Sequence, residues 1–326
     1  MDILYIGGSL TVGAGSTNSE CWRAYTTNWF KENYPSAEIN EINSASSGTG
    51  SLWGLARTQR DIIDKNPELV FIEFAVNDAY LSLTQAQAAT YMEGMVRQIN
   101  TALPNTDIIF VLTTDESYLG KSFPSLEGHK EVADFYGITY INVGDALIEP
   151  VKAASWGKYA ADNVHLRAEG YRIYADEVIK KLESLLAEAK GKPAAEHSLP
   201  KGYLSSNPAT SGGLLEADAI VQLNTEQWRY LEGKPKYAEN KGMAVPTKDN
   251  ASLKIEFEGT VLCLFGEKVA GGEVIFKVDG VEVKKLNSGY TKQREIMCVD
   301  NLKPGRHTVE IIVSQKGIKL DALIIG

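Results

Sequence analysis

Two periods of apolar and polar residues alternate along the first 190 positions. Short apolar runs occur at ILYIG (3–7), EINEINSA (38–45), LVFIEFA (69–75), DIIFVLTT (107–114) and ITYINVG (138–144). Three of them are nearly unbroken, as expected of strands covered on both faces. Between them lie segments with helical spacing: WRAYTTNWFKENY, WGLARTQRDIIDK, TQAQAATYMEGMVRQINTAL and EGHKEVADFYG. The final segment, LRAEGYRIYADEVIKKLESLLAEAK, sets Tyr171, Tyr174, Val178, Leu182 and Leu185 on one helical face. Strands alternating with helices predict a parallel sheet with helices on both sides. Ligands of such sheets bind outside the carboxyl ends of the strands, where the loop carrying Gly7, Gly8 and Ser9 must lie.

Beyond residue 190 the texture changes. GKPAAEHSLPKGYLSSNPATSGG is rich in Gly, Pro and Ser without a sustained period and reads as a linker. Short alternating segments follow: SLKIEFEG, TVLCLFG, EVIFKVDG, REIMCVD, HTVEIIVS and KLDALIIG, separated by turn signals such as VDGVE and LKPGRH. Their spacing predicts an antiparallel sandwich. The expected organisation is an α/β domain at 1–190, a linker at 191–212 and an all-β, jelly-roll-like sandwich at 213–326.

Composition narrows the function classes. The net charge of -9 argues against a nucleic-acid surface. No apolar run approaches the ~18 residues that a membrane span requires. A soluble enzyme with a neutral or cationic ligand fits. The first strand begins so near Met1 that a leader has no room, and a cytoplasmic location is expected unless one was removed. Cys21, Cys263 and Cys298 are then expected as free buried thiols; in an exported protein Cys263 and Cys298 would be free to pair.

Ser9 stands in a glycine loop at the ligand face. Its hydroxyl is a poor nucleophile without a base to take the proton, and a tight turn capped by Ser9 is the plain alternative. Of four histidines, His197 falls in the linker, His307 in a strand of the second domain and His129 on a polar, solvated helix. His165 lies in YAADNVHLRAEGY, on the loop entering the last helix of the α/β domain. Asp162, three residues earlier, is spaced to hold the imidazole in one tautomer, or else to cap the helix. Acyl transfer also needs donors for an oxyanion. Asn77 follows the third strand in AVND, Gly48 lies in SSGTGS after the second, and the Ser9 N–H is a third donor.

GGSLTVGAG, SSGTGS, AVND and DNVH, in this order, resemble the four blocks of the SGNH hydrolases, also called the GDSL esterase/lipase family. The resemblance spans the whole first domain. It implies a flavodoxin-like three-layer α/β/α fold and ester hydrolysis through an acyl-enzyme, with no metal or organic cofactor. Ser9 matches the nucleophile, Asp162 and His165 the rest of the triad, and Gly48 and Asn77 the oxyanion donors. Two positions depart from the family: its Asp before the nucleophile is Gly8 here, and the Gly two before Asn is Ala75. The first removes a carboxylate that orders the loop.

Trp53, Tyr80, Tyr118 and Trp156 fall near strand ends, as sugar-stacking residues or as ordinary core. Arg57 and Asp61 either brace the second block or are solvated. The C-terminal segment is similar to sandwich modules that bind carbohydrate, with Trp228 and Tyr230 as candidate stacking residues. Together the domains resemble bacterial carbohydrate acetylesterases. This implies removal of O-acetyl groups from plant oligosaccharides such as mannan or xylan fragments, with no nucleic-acid or membrane partner. Open alternatives are a short-chain esterase, lysophospholipase or thioesterase on the same triad, or a silent carbohydrate-binding protein. The second domain is equally compatible with a cleft cover or a homo-oligomer contact.

Overall fold

The computed structural model describes every residue except 193–194, 207, 210–211, 234–241, 268–272, 288–293, 300–301 and 314–318. The chain forms two compact units, Met1–Ser206 and Asn207–Gly326.

In the first unit five strands run β1 (Asp2–Gly7), β2 (Asn40–Asn43), β3 (Leu69–Glu73), β4 (Asp107–Leu112) and β5 (Thr139–Asn142). They pair in parallel in the order β2-β1-β3-β4-β5. That order is the flavodoxin-like arrangement, whose switch point lies between β1 and β3. β1, β3 and β4 are the buried runs, and Tyr5 of β1 stacks on Phe71 of β3 at 5.0 Å. The helices are α1 (Ser9–Val12), α2 (Trp22–Asn33), α3 (Ser51–Ala56), α4 (Thr58–Asp61), α5 (Ala75–Tyr80) and α6 (Gln85–Ala102). α7 (Pro124–Tyr136), α8 (Ile148–Ala153), α9 (Trp156–Tyr159) and α10 (Ala168–Ala189) complete the unit. α6 begins with a capping box between Thr84 and Gln87. α10 lays Tyr171, Tyr174, Val178 and Leu182 into the core, with Leu185 half-buried at its edge.

Two features differ from the sequence reading. The segment read as one helix over WGLARTQRDIIDK is broken into α3, α4 and a short 3-10 turn at Ile63–Lys65. The break serves Arg57, whose guanidinium turns inward to the Ser44 carbonyl (2.6 Å) and to Asp61 (2.9 Å). Part of the expected linker is also bound to the first unit. The N–H groups of Leu204 and Ser205 donate to the buried Glu93 carboxylate, and Arg97 donates to the Gly202 carbonyl while lying over the Tyr203 ring.

The second unit holds two antiparallel sheets. One contains β6 (Gly213–Glu216), β7 (Trp228–Glu232), β8 (Gly242–Pro246), β10 (Leu262–Glu267), β13 (Arg294–Val299) and β15 (Lys319–Ile325). The other orders β12 (Val281–Asn287), β11 (Glu273–Val278), β14 (Arg306–Val313) and β9 (Ala251–Glu258). Along β9, Ala251, Leu253, Ile255 and Phe257 alternate inward and share one core with Leu262, Leu264, Leu320 and Leu323 of the facing sheet. A short helix, α11 (Ala217–Leu223), also packs Ala217 and Ile220 into that core. Cys263 and Cys298 sit opposite each other on β10 and β13 and form a disulfide, so the expectation of three free thiols is corrected to one, the buried Cys21. Their direct cross-strand pairing brings the two sulfurs together.

Candidate active site

β1 ends at Gly7, and Gly8 and Ser9 open α1 at the carboxyl edge of the sheet. The two glycines leave room for side chains from elsewhere in the chain. A Cβ on Gly7 would stand 2.9 Å from Oε2 of Glu73, the last residue of β3, and would also meet Thr11. A Cβ on Gly8 would lie 2.7 Å from Cγ of Asn77. Glu73 is fully buried, and among the described residues no ion pair is made to it. Its carboxylate instead accepts hydrogen bonds from Thr11 Oγ1 (2.8 Å), Thr113 Oγ1 (2.9 Å) and Gly8 N (3.3 Å). Burial raises its pKa above the ordinary carboxylate value, and these three hydrogen bonds pull the other way. A carboxylate on the adjacent strand thus orders the nucleophile loop that lacks the family's own Asp.

The other half of the site comes from the loop before α10. His165 Nε2 lies 2.9 Å from Ser9 Oγ, and its Nδ1 lies 2.7 Å from Asp162 Oδ2. The second carboxylate oxygen of Asp162 accepts the backbone N–H groups of Val164 (2.8 Å) and His165 (2.7 Å). Desolvation raises the Asp162 pKa, but the hydrogen bonds from the ring and from these two N–H groups outweigh it and bring the value to about 2. The carboxylate therefore stays ionised and fixes the tautomer: Nδ1 carries the proton, and Nε2 presents its lone pair to Ser9. Gly15 backs the histidine. Its φ of 92° is left-handed, and a Cβ there would press on His165 Cβ at 3.0 Å.

Gly48 lies in a turn closed by Thr49 N–H to the Ser46 carbonyl (3.3 Å), at the third position with φ 77°, where a type II turn calls for glycine. Ser46 N–H donates to the Gly7 carbonyl (2.9 Å), which brings this turn alongside the nucleophile loop. Asn77 is half-buried in the first turn of α5, against Gly8. Arg57 and Asp61 form a buried pair that braces the start of the second-block loop. Burial lowers the Arg57 pKa to about 10 against the opposing pull of Asp61.

The aromatic residues divide. Tyr80 is 61% exposed, and its hydroxyl donates to Asp115 Oδ2 (3.0 Å). Tyr118 is half-buried and stacked on Phe123 at 4.4 Å. Trp53, Trp156 and Trp228 are corrections. Trp53 is 2% exposed and lies in the core. Trp156 is buried and donates Nε1–H to the Asp162 carbonyl (2.7 Å), so it holds the triad loop from within. Trp228 is buried and donates to the Ser252 carbonyl (3.1 Å). None of the three offers a free ring face, whereas Tyr230 on β7 is exposed. His129, expected in solvent, is also a correction: it is 1% exposed and bonded to Asp78 at 2.8 Å. The signal for it was present, because Leu126, His129, Val132 and Ala133 recur at helical spacing and all are buried on one face of α7.

Residues 5–173 match the GDSL-like Lipase/Acylhydrolase family, more than half of the chain. The chain belongs to this family. As a GDSL-family member it is a carboxylic ester hydrolase. A search of curated proteins finds no match. Among solved structures the chain is similar to a two-domain esterase (CEX) active on acetylated mannans, co-crystallised with mannopentaose. That likeness has a TM-score of 0.78 at 20% identity and covers 99% of this chain and 90% of that one, which shows a shared two-domain fold. It is also similar to a catalytic mutant of Axe2, an acetylxylan esterase from Geobacillus stearothermophilus (TM-score 0.48, 18% identity, 56% of this chain and 93% of that one). Among the described residues, no helix is long and apolar enough to cross a membrane.

Proposed function

We propose that this GDSL-family hydrolase is a serine esterase that removes O-acetyl groups from oligosaccharides of the mannan or xylan type. The observation that carries it is the hydrogen-bonded series Ser9 Oγ, His165 and Asp162, with both distances under 3 Å. His165 Nε2 takes the Ser9 proton as Oγ attacks the acetyl carbonyl carbon. The oxyanion is met by the Ser9 and Gly48 N–H groups and the Asn77 amide. Collapse expels the sugar hydroxyl, protonated by His165, and leaves acetyl-Ser9. Water, deprotonated by His165, then releases acetate and restores the serine. Asp162 stays ionised and holds the imidazolium throughout.

Support for a sugar substrate comes from the rim. Tyr80 presents an open ring tethered through its hydroxyl to Asp115, with Tyr118 on the loop that carries Asp115, and exposed aromatic faces stack on pyranose rings. The mannan-active esterase with the same two-domain fold adds to the case. The second unit, with Tyr230 exposed on an edge strand, serves as a carbohydrate-binding module in this reading. The Cys263–Cys298 bond favours an oxidising compartment over the cytoplasm. The test is a substrate panel with wild type and Ser9→Ala. Acetylated manno- and xylo-oligosaccharides should release acetate with wild type only. Cleavage of long acyl esters or thioesters with sugar acetates untouched would refute the substrate assignment, and full turnover by Ser9→Ala would refute the mechanism.

A further inference from the structure

Two oxyanion donors carried on separate segments, a turn and a helix, need a common frame, and a buried pair that takes no part in the chemistry lies between them. Asp78 directly follows Asn77 in α5 and is fully buried. Its Oδ1 accepts the N–H of Ser51 (2.7 Å), the first residue of α3, which leads directly out of the Gly48 turn. Its Oδ2 lies 2.8 Å from Nε2 of His129 on α7. A carboxylate only accepts, so His129 donates there. Gly50 is glycine because a Cβ would run into Asp78 Oδ1. α7 is bolted to α5 a second time by Ser125 Oγ, which donates to the Ala75 carbonyl (2.7 Å). Behind His129 stands the edge of Phe110, an apolar wall.

This arrangement spans the second and third blocks. An unpaired carboxylate at this depth would be strongly unfavourable, so the Asp78 side chain is held where its two donors hold it. One of those donors begins the helix behind Gly48, and the carboxylate is on the neighbour of Asn77. The separation of the two oxyanion donors is therefore set through Asp78, and the remaining donor, His129, sets Asp78. On the serine-esterase reading, on which this rests, we infer that His129 is a positioning residue. It fixes the spacing of the Gly48 N–H and the Asn77 amide through Asp78, without touching the reacting atoms.

The inference separates from a simple packing role because an oxyanion hole acts on the transition state more than on the bound ester. His129→Phe fills the same space and removes the donor. His129→Gln keeps an N–H close to the original Nε2. With 4-nitrophenyl acetate, His129→Phe should lose about 10- to 100-fold in kcat with KM changed by less than about threefold. The inhibition constant of methylboronic acid, whose tetrahedral adduct puts an oxygen in the hole, should rise by the same factor. His129→Gln should recover most of both. Full kcat in His129→Phe would overturn the inference, as would a Gln variant as impaired as Phe, or a rise in KM alone. If His129→Phe does not fold, His129→Leu, which also lacks a donor, takes its place under the same criteria. Activity in wild type that vanishes in Ser9→Ala shows that the serine mechanism stands, whichever way the His129 result falls.

Discussion

Restoring the family's residue before the nucleophile should damage this enzyme. At position 8 the backbone φ is -89°, which any L-residue adopts, so alanine or aspartate meets no backbone strain. The obstacle is Asn77, whose Cγ stands 2.7 Å and Nδ2 3.0 Å from where a Cβ would be. Ordinary contact between carbons is about 3.5–4.0 Å, so the amide must move by roughly 1 Å. It is the free end of a half-buried side chain, and the move costs little stability: about 0.5–1.5 kcal/mol for an off-rotamer torsion, offset by about 0.4–1 kcal/mol from stiffening the unfolded chain. Catalysis is far less tolerant. Loss of one oxyanion donor lowers kcat by about 10²–10³, equivalent to roughly 2.7–4 kcal/mol. Gly8→Ala should therefore fold with a Tm within a few degrees of wild type yet lose about 100-fold in kcat on 4-nitrophenyl acetate. Gly8→Asp should be worse, because it adds a carboxylate to a loop already hydrogen-bonded to Glu73. Asn77→Ala should match Gly8→Ala, and the double variant should be no slower than either alone, since both remove the same donor. Retention of kcat in Gly8→Ala, or multiplicative losses in the double variant, would refute the reasoning.

Three further outcomes follow from other parts of the chain. Trp156→Phe removes the donor to the Asp162 carbonyl and should lower kcat about tenfold with KM nearly unchanged; a change in Tm alone would return Trp156 to ordinary packing. Thiol titration of the denatured, unreduced chain should find one reactive cysteine, Cys21, and three only after reduction; three without reductant would contradict the Cys263–Cys298 bond. In the second unit both ring nitrogens of His307 face acceptors, Asp279 Oδ2 (2.8 Å) and the Lys303 carbonyl (2.7 Å), which only the doubly protonated ring satisfies. The Asp279 hydrogen bond, then that of Lys303, raise its pKa above 6.5, so its stabilisation is complete below 6.5 and is lost as pH rises through the raised value. The His307 ring proton, assigned by its absence in His307→Gln, should titrate with a midpoint above 6.5, and one below would refute this.

The parallel sheet was legible because β1, β3 and β4 are covered on both faces and their apolar runs are nearly unbroken. α10 was legible because one continuous stripe of Tyr, Val and Leu meets the core. The elements that were not legible answer to contacts outside their own segments. Nothing in WGLARTQRDII marks a break, since the break is made by a carbonyl at Ser44, thirteen residues back. β7 and β8 lack strong alternation because β7 is an edge strand whose residues after Trp228 are exposed, and β8 is buried throughout. Three tryptophans read as candidate sugar platforms are interior, because a large aromatic near a strand end satisfies a core and a cleft equally well on pattern alone.

The catalytic series was more legible than its supports, and the glycines show why. Ser, His and Asp announce themselves by chemistry: four histidines leave few candidates, and one has a carboxylate three residues before it. Gly7, Gly8 and Gly50 carry no reactive group to announce them, and at Gly8 the backbone angle is unexceptional. What these positions supply is the absence of a side chain. Glu73 and Thr11 occupy the space at Gly7, Asn77 that at Gly8 and Asp78 that at Gly50, and all but Thr11 come from 28 to 69 positions further along the chain. A glycine kept for a distant neighbour is indistinguishable in sequence from one kept for its φ until the neighbour is known. The same logic explains the family departure at position 8. With Asn77 packed where an Asp side chain would begin, the ordering carboxylate has to enter from another strand, and Glu73 reaches the Gly8 N–H from β3 because Gly7 leaves its path open.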